Sequence, residues 1–315
     1  MNQTIVENLQ KISDYEKSRG ESFKHRAYEK AIQSIRDLKY DITCSEDLKE
    51  VKYVGKGIGQ KIEIIFEKGF LDIVNDIPTS EKALVKQLLG IYGVGIKKAN
   101  DLKKKVKSFE ELKNNSKTLL NNKQLIGLKH YSDLQERIPR SEMEFHETYI
   151  GNVWAGQKKP FEYRIVGSYR RGALHSGDID IMVTFSPPSR DRYQQLIISL
   201  QNKGYLIDHL AWGDKKYMGV CKHPNFTKSR RIDIIYCSPA EYPFCLLYFT
   251  GSGEFNRKLR EIANDNGYRL NEKKLVKLTN GQEVKNLPTE ESILEFLDVP
   301  PYAPHERTDE ILIMS

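Results

Sequence analysis

Two aspartates lie two residues apart in Ser176-Gly177-Asp178-Ile179-Asp180-Ile181, and a third acid, Asp233, lies in Arg231-Ile232-Asp233-Ile234-Ile235. Side chains on an extended strand alternate between faces, so Asp178 and Asp180 project from one side while Ile179, Ile181 and Val183 take the other. Two carboxylates a few ångströms apart repel, and each resists ionising. A divalent cation turns that repulsion into binding, and Mg²⁺ favours oxygen ligands with positions left open for substrate phosphates. Three carboxylates from two neighbouring strands could hold a pair of such ions about 3.5–4 Å apart, an arrangement suited to in-line phosphoryl transfer. A bare Asp-x-Asp reads better as the solvated face of an edge strand. The preceding Gly167-Ser168-Tyr169-Arg170-Arg171-Gly172 tips the balance. It follows an expected strand (Tyr163–Val166) and can open a helix, placing backbone amides, the Ser168 hydroxyl and Arg171 where a triphosphate could lie.

A second kind of chemistry is suggested twice in the first half of the chain. Val54-Gly55-Lys56-Gly57-Ile58-Gly59 precedes Lys61, and Tyr92-Gly93-Val94-Gly95-Ile96 precedes Lys97-Lys98. Each reads as a helix, a Gly-rich hairpin and a second helix carrying lysines. Gly55, Gly57, Gly93 and Gly95 let a backbone amide approach a phosphate, and the lysines add charge for sequence-independent DNA backbone binding. The string lacks the spacing and Lys-Ser/Thr ending of a nucleoside-triphosphate loop.

The elements that must position these residues differ between the two halves. Before residue 140, apolar residues recur at three and four positions (Ile5, Leu9, Ile12; Ala27, Ala31, Ile35, Leu38; Leu84, Val85, Leu88, Leu89), a helical period. After residue 160 come short β-type runs at Tyr163–Val166, Ile179–Thr184, Tyr217–Cys221 and Arg231–Tyr236. A last block from Ala240 mixes a helix over Gly253–Asn264 with strands at Tyr268–Asn271 and Lys274–Leu278. The expectation is an all-α N-terminal half and an α+β C-terminal half, with Pro139 ending a helix at the junction. In 315 residues, 39% hydrophobic and 10% aromatic, there is ample material for packed cores and no case for disorder. No apolar run approaches a membrane span, and Met1–Asn8 is too polar for a signal peptide. Four cysteines without a Cys-x-x-Cys pair argue against zinc or a disulfide framework and for a reducing intracellular compartment. A net charge of +7 leans towards a polyanionic partner.

The run GSYRRGALHSGDIDIMVT resembles the nucleotidyltransferase signature of the family X DNA polymerases, of the polymerase beta type. RRIDI resembles the segment carrying the third aspartate, and Leu247-Tyr248-Phe249-Thr250-Gly251-Ser252 the sugar-reading segment. Ile126–Met143 resembles the domain junction, the two hairpins the helix-hairpin-helix elements, and Gly267–Glu272 a segment late in the last subdomain. The resemblance spans nearly the whole chain in order. It implies a multidomain fold: a helical lyase domain with the first helix-hairpin-helix (1–77), a helical DNA-binding subdomain with the second (78–138), a nucleotidyltransferase palm (139–240) and a nucleotide-selecting α+β subdomain (241–315).

Carried over residue by residue, the resemblance makes Asp178, Asp180 and Asp233 ligands of two Mg²⁺ ions, with Mn²⁺ able to substitute, and Asp233 also the acceptor of the primer 3′-hydroxyl proton. Ser168, Arg171, Gly177 and, more distantly, Arg137 would contact the triphosphate, with Gly167 in the same turn. Tyr248 and Phe249, followed by Gly251, would crowd the sugar 2′ position, implying deoxynucleotides. Asn256 would read the minor groove, and Arg260 would touch the template side. Lys61 would form a Schiff base with an abasic sugar and promote β-elimination, with Tyr28 beside it and Lys24, Lys30 and Lys49 lowering its pKa or holding the 5′-phosphate. Arg231 joins the expected DNA contacts, and Na⁺ or K⁺ is expected at the hairpin carbonyls. The implied activity is gap-filling DNA synthesis in base-excision repair with deoxyribose-phosphate lyase activity. The implied partners are gapped or nicked duplex DNA and deoxynucleoside triphosphates, the chain acting as a monomer away from membranes. Its compartment would be nuclear in a eukaryotic cell, and cytoplasmic or virion-associated for a virus. The rival readings are a template-independent nucleotidyltransferase and a catalytically degenerate DNA-binding scaffold.

Five positions depart from the family pattern. Gly57 stands where a lysine assists the lyase, and Phe23 where a histidine does, with His25 two residues on. Gly253 replaces an acid near the base, Ile235 an arginine and Lys273 a tyrosine, the last two in the open–closed switch. His175 is expected to be solvated; His130, His146, His209 and His223 are read as structural.

Overall fold

The computed structural model describes residues 2–18, 21–38, 40–68, 79–154 and 161–308. The chain forms two compact units, Met1–Lys129 and His130–Ser315. The expected boundary between residues 77 and 78 lies outside the described residues.

The first unit is helical among its described residues: α1 (Asn2–Ser18), α2 (Ser22–Arg36), α3 (Lys56–Lys68), α4 (Thr79–Leu89), α5 (Ile96–Lys103), α6 (Phe109–Asn114), α7 (Ser116–Leu119) and α8 (Asn122–Lys129). The three-and-four spacing does what amphipathicity requires. Ile5, Leu9 and Ile12 of α1 meet Ile32 and Ile35 of α2 and Ile62 and Ile65 of α3 in one buried cluster. The two Gly-rich motifs have the same backbone. A turn at Val51–Tyr53 accepts the Val54 amide on the Val51 carbonyl, and the turn at Ile91–Gly93 does the same through Val94 and Ile91. The Gly55 and Gly95 carbonyls then accept the amides of Gly59 and Ala99, each at 2.9 Å. One expectation needs correction: a single 3₁₀ turn (Asp47–Glu50) precedes the first hairpin, where a helix was expected. Asp47 explains the tight turn, since its carboxylate accepts the amides of Thr43 and Cys44 and leaves too short a run for an α-helix.

The second unit contains α9 (Tyr131–Gln135), β1 (Ile138–Pro139), α10 (Arg140–Trp154), β2 (Phe161–Ile165), α11 (Gly167–Arg170), β3 (His175–Ser176) and β4 (Ile179–Phe185). There follow α12 (Arg190–Asn202), β5 (Leu206–Trp212), β6 (Lys216–Cys221), β7 (Arg230–Tyr236), α13 (Tyr242–Thr250), α14 (Gly253–Asp265), β8 (Tyr268–Leu270), β9 (Leu275–Lys277) and α15 (Glu290–Phe296). Pro139 does not end a helix: α9 stops at Gln135, and Pro139 pairs with His175 in the β1–β3 ribbon. The ribbon sets Ile138 against Ser176, which ties the residue-137 region to the end of the signature loop.

The main sheet has the order β2-β4-β7-β6-β5, in which β4 and β7 run parallel and the other pairs antiparallel. Strand β4 is therefore interior, not an edge. Ile179, Ile181 and Val183 enter the main core with Ile232 and Ile234. Met182 on the opposite face packs with Val166, Cys237, Cys245 and Leu246. Both faces of the strand are thus covered beyond Asp180, as its run of apolar residues requires. Among the described residues, no helix is long and apolar enough to cross a membrane.

Candidate active site

The parallel register places Asp180 directly opposite Asp233 and Ile181 opposite Ile234. Two carboxylates from strands separated by about fifty residues of chain thereby become neighbours on one sheet surface. Burial, reinforced by the Asp233 charge and opposed by Lys216 and Arg171, pushes the Asp180 carboxyl up to about 6. Asp233 is 4% exposed, and its Oδ1 is buried with no hydrogen-bond partner.

The Gly-Ser turn lies against this pair. The Val166 amide donates to the Asp180 carbonyl at 2.9 Å, and a Cβ on Gly167 would stand 2.8 Å from Asp180 Oδ2. With φ at +62°, Gly167 occupies a conformation and a space that only glycine accepts cheaply. Ser168 Oγ donates to Ser176 Oγ at 3.1 Å, and Arg137 Nη2 donates to the His175 carbonyl at 2.7 Å. Arg137, Ser168, His175 and Ser176 thus line one loop that continues through Gly177 to Asp178, and the His175 side chain is exposed.

The third acid is held differently. Asp178 forms an ion pair with Arg231 Nη2, whose Nη1 lies 3.8 Å from Asp233 Oδ1. Lys216 Nζ, from β6, sits 2.9 Å from Asp233 Oδ2. The three aspartates therefore surround two side-chain cations. Among the described residues, no group of three or more His, Cys, Asp or Glu side chains is arranged to hold a metal ion. The strand register delivers Asp180 and Asp233, but Asp178 precedes β4 and its carboxylate is turned onto Arg231. The donor set still fits a divalent ion: two crowded carboxylates, one with a buried oxygen lacking a hydrogen bond, face a turn able to bind phosphate.

The segment expected to read the sugar ends in a tightly held corner. Gly251 has φ +69°, and Ser252 caps α14 by accepting the Phe255 amide. Two consecutive arginines of the signature grip this corner: Arg171 Nη1 donates to the Thr250 carbonyl at 2.6 Å, and Arg170 Nη1 to Thr250 Oγ1 at 2.5 Å. Arg170 also makes a two-pronged pair with Glu290, which receives Arg307 Nη1 at 2.5 Å. Glu290 and Arg307 are 4% and 1% exposed. The sequence reading missed Arg170, Glu290, Arg307 and Lys216, because each matters through a partner far away along the chain. Phe249 packs with the Met182 cluster, whereas Tyr248 remains 37% exposed, so the pair is not simply a buried aromatic filling. Asn256 Nδ2 donates to the Tyr248 carbonyl at 2.7 Å, and a small cleft is lined by Tyr248, Asn256, Arg260 and Asn271.

Among the other departures, Ile235 is buried and Lys273 lies 3.7 Å from Glu272, while Gly253 opens α14. The four histidines read as structural are packed. His130 pairs with Asp208, His146 with Tyr205, His209 with Tyr217, and His223 accepts the Asn225 amide.

In the first unit, Lys61 Nζ lies 5.7 Å from the centre of the Tyr28 ring and 3.5 Å from the Gly57 carbonyl. The lysine and its expected tyrosine are thus brought together. The surrounding cations have partners of their own. Lys24 lies 3.8 Å from Glu16, Lys49 lies 3.2 Å from Glu46, and Lys30 lies over the Tyr53 ring. The Lys49–Glu46 pair is fully at the surface, and such exposed pairs are weak and yield readily to a phosphate. Phe23 is 86% exposed, and His25 does not take over the missing histidine's place: its Nδ1 bonds Ser13 Oγ at 2.8 Å, in the seam between α1 and α2. Gly55, Gly57 and Gly95 have open space where a Cβ would lie, and Gly93 has φ +82°.

Comparison with known families agrees with this layout. Residues 137–239 match the DNA polymerase beta palm and 245–308 the DNA polymerase beta thumb. Residues 1–71 match a helix-hairpin-helix domain, and 86–135 the fingers domain of DNA polymerase lambda. The chain is 31% identical to DNA polymerase lambda of Rattus norvegicus, over 96% of this chain and 56% of that protein. It is also 31% identical to DNA polymerase lambda of Arabidopsis thaliana, over 98% of this chain and 62% of that one. The DNA nucleotidylexotransferase of Xenopus laevis is 25% identical over 75% of this chain and 54% of its own length. The chain thus spans little more than half the length of these curated relatives. From palm to helix-hairpin-helix, it belongs to the family X DNA polymerases, of the beta/lambda-like kind.

Proposed function

We propose that the chain is a DNA-directed DNA polymerase that fills short gaps during base-excision repair, with a deoxyribose-phosphate lyase in its first unit. The observation that carries the polymerase reading is the register of Asp180 against Asp233 beside the Gly167–Ser168 turn. Asp180 and Asp233 would hold the divalent ions, Mg²⁺ or Mn²⁺, with Asp178 joining when Arg231 releases it. When bound, the ions would supply charge stabilisation at the 3′-oxygen and at the leaving pyrophosphate.

The chain's own residues have separate tasks. Ser168, Arg171, Gly177 and Arg137 bind the triphosphate, and Gly167 keeps the turn close to Asp180. Asp233 receives the 3′-hydroxyl proton. Tyr248 and Phe249 exclude a 2′-hydroxyl, Asn256 and Arg260 follow the base pair, and Arg231 touches the primer strand. The four hairpin glycines and their lysines hold the DNA backbone, with Na⁺ or K⁺ at the carbonyls. Extension of a one-nucleotide gap, compared for deoxy- and ribonucleotides with and without template, tests this reading. Template-free addition of either nucleotide would favour the nucleotidylexotransferase-like alternative.

The lyase reading is supported by Lys61 beside Tyr28 on the first hairpin. A neutral Lys61 amine attacks the C1′ aldehyde of an abasic sugar and, with loss of water, forms a Schiff base. Removal of a C2′ proton then breaks the C3′–O bond, freeing the downstream strand with its 5′-phosphate, and hydrolysis releases the unsaturated sugar phosphate from the lysine. Borohydride trapping on a nicked abasic duplex tests it. The assignments to 1–77, 78–138, 139–240 and 241–315, a monomeric state and a nuclear site of action in a eukaryotic cell belong to the same proposal.

A further inference from the structure

We propose that Lys216 is a built-in counter-ion of the carboxylate site: its ammonium holds the cation position on Asp233 and has to leave before a divalent ion can bind there. The inference rests on the reading of Asp233 as a metal ligand.

The geometry starts from the sheet. Lys216 opens β6 opposite Ile235, and Met218 pairs with Asp233, so the lysine reaches diagonally across the strand to the carboxylate. Its Nζ lies 2.9 Å from Asp233 Oδ2. The side chain is 45% exposed whereas that of Asp233 is 6% exposed, so the pair joins a movable cation to a fixed, buried anion. Arg231 serves Asp178 and approaches Asp233 from the other side at 3.8 Å. Three carboxylates balanced by two side-chain cations form a cluster of low net charge. Without Lys216, a buried carboxylate would keep its desolvation cost with little compensation.

A divalent ion competes for the same oxygen. While Lys216 stays on Asp233, the ion meets both an occupied ligand and a repelling charge. The lysine's four-carbon stem lets the ammonium swing into solvent or onto a substrate phosphate once displaced. Lys216 is therefore a positioning residue with two opposed effects: it steadies the metal-free site and weakens the first binding of metal.

The test uses the full-length chain with Mn²⁺ alone, reading free Mn²⁺ by electron paramagnetic resonance, and the thermal midpoint with and without the ion. Lys216→Met keeps most of the stem and removes the charge. It is expected to bind Mn²⁺ about tenfold more tightly than the unmodified chain, and to unfold earlier without metal but not with saturating Mn²⁺. Lys216→Arg, which keeps the competitor, is expected to bind Mn²⁺ as the unmodified chain does. Unchanged or weaker Mn²⁺ binding by Lys216→Met, or equal tightening by Lys216→Arg, overturns the counter-ion. Asp233→Asn separates the two layers. If it lowers Mn²⁺ affinity while Lys216→Met has no effect, only the counter-ion fails; if it leaves binding unchanged, the metal reading and the counter-ion fall together.

Discussion

The carboxylate site and the lysine site are built on opposite principles. Asp180 and Asp233 meet only because two strands far apart along the chain pair in parallel with a particular register. Lys61 and its hairpin lie within one short stretch whose backbone is repeated in the second hairpin. The first site is buried, crowded with like charge and held by side-chain cations; at the second, the Lys49–Glu46 pair lies at the surface. A site made by sheet register can store electrostatic tension, because the strands do not yield. A site made by a local turn gains access to DNA instead.

Asp233→Ala should separate the two most sharply. On the proposed role of Asp233 as ligand and proton acceptor, gap filling should fall by about 10³-fold or more, while borohydride trapping stays at its original level. Loss of both activities together would mean that the sites are not independent. The interior charges of the second unit invite the next test. Burial pushes the Glu142 carboxyl up, but the His146 ring nitrogen 3.7 Å away and the two hydrogen bonds from Arg230 outweigh it and bring it down to about 2. Its contribution to stability is therefore complete above the ordinary value near 4.5 and is lost as the pH falls towards about 2. Glu142→Gln should cost about 3 kcal/mol at pH 7 in denaturant unfolding, with the difference shrinking in acid. By contrast, Glu46→Gln in the first unit, at the exposed Lys49 pair, should leave the unfolding midpoint where it was.

Lys61→Ala is the mirror of the first test. Trapping should drop by about 10²-fold while filling of a gap without a sugar-phosphate changes less than about threefold. Among the changes aimed at activity, the smallest effect is expected from Gly167→Ala. A methyl 2.8 Å from Asp180 Oδ2, at φ +62°, should lower gap filling about tenfold with trapping intact.

What could be read from the sequence divides along the same line. The hairpins, the Gly-Ser turn and the three aspartates were legible because residue type and short spacing encode them. That β4 is interior, that Asp180 faces Asp233, and that Lys216 reaches Asp233 all depend on the pairing of β4, β7 and β6, which no local pattern states. Asp178 looked equivalent to Asp180 by alternation, yet it precedes the strand, where Arg231 captures it. Pro139 looked like a helix end and is half of a two-residue ribbon, because its partner His175 lies in the signature loop. Glu290 and Arg307 carry no local signal in the sequence, and only folding buries them in an ion-pair group with Arg170.

That last contact ties Arg307 to the signature loop. Through Glu290, Arg307 steadies the same Arg170 that grips Thr250, and the Arg307 carbonyl accepts the Ser252 amide at 3.1 Å. Removing the Arg307 side chain would leave Asp178, Asp180 and Asp233 in place while unmooring the Thr250–Ser252 corner from its buried counter-charge.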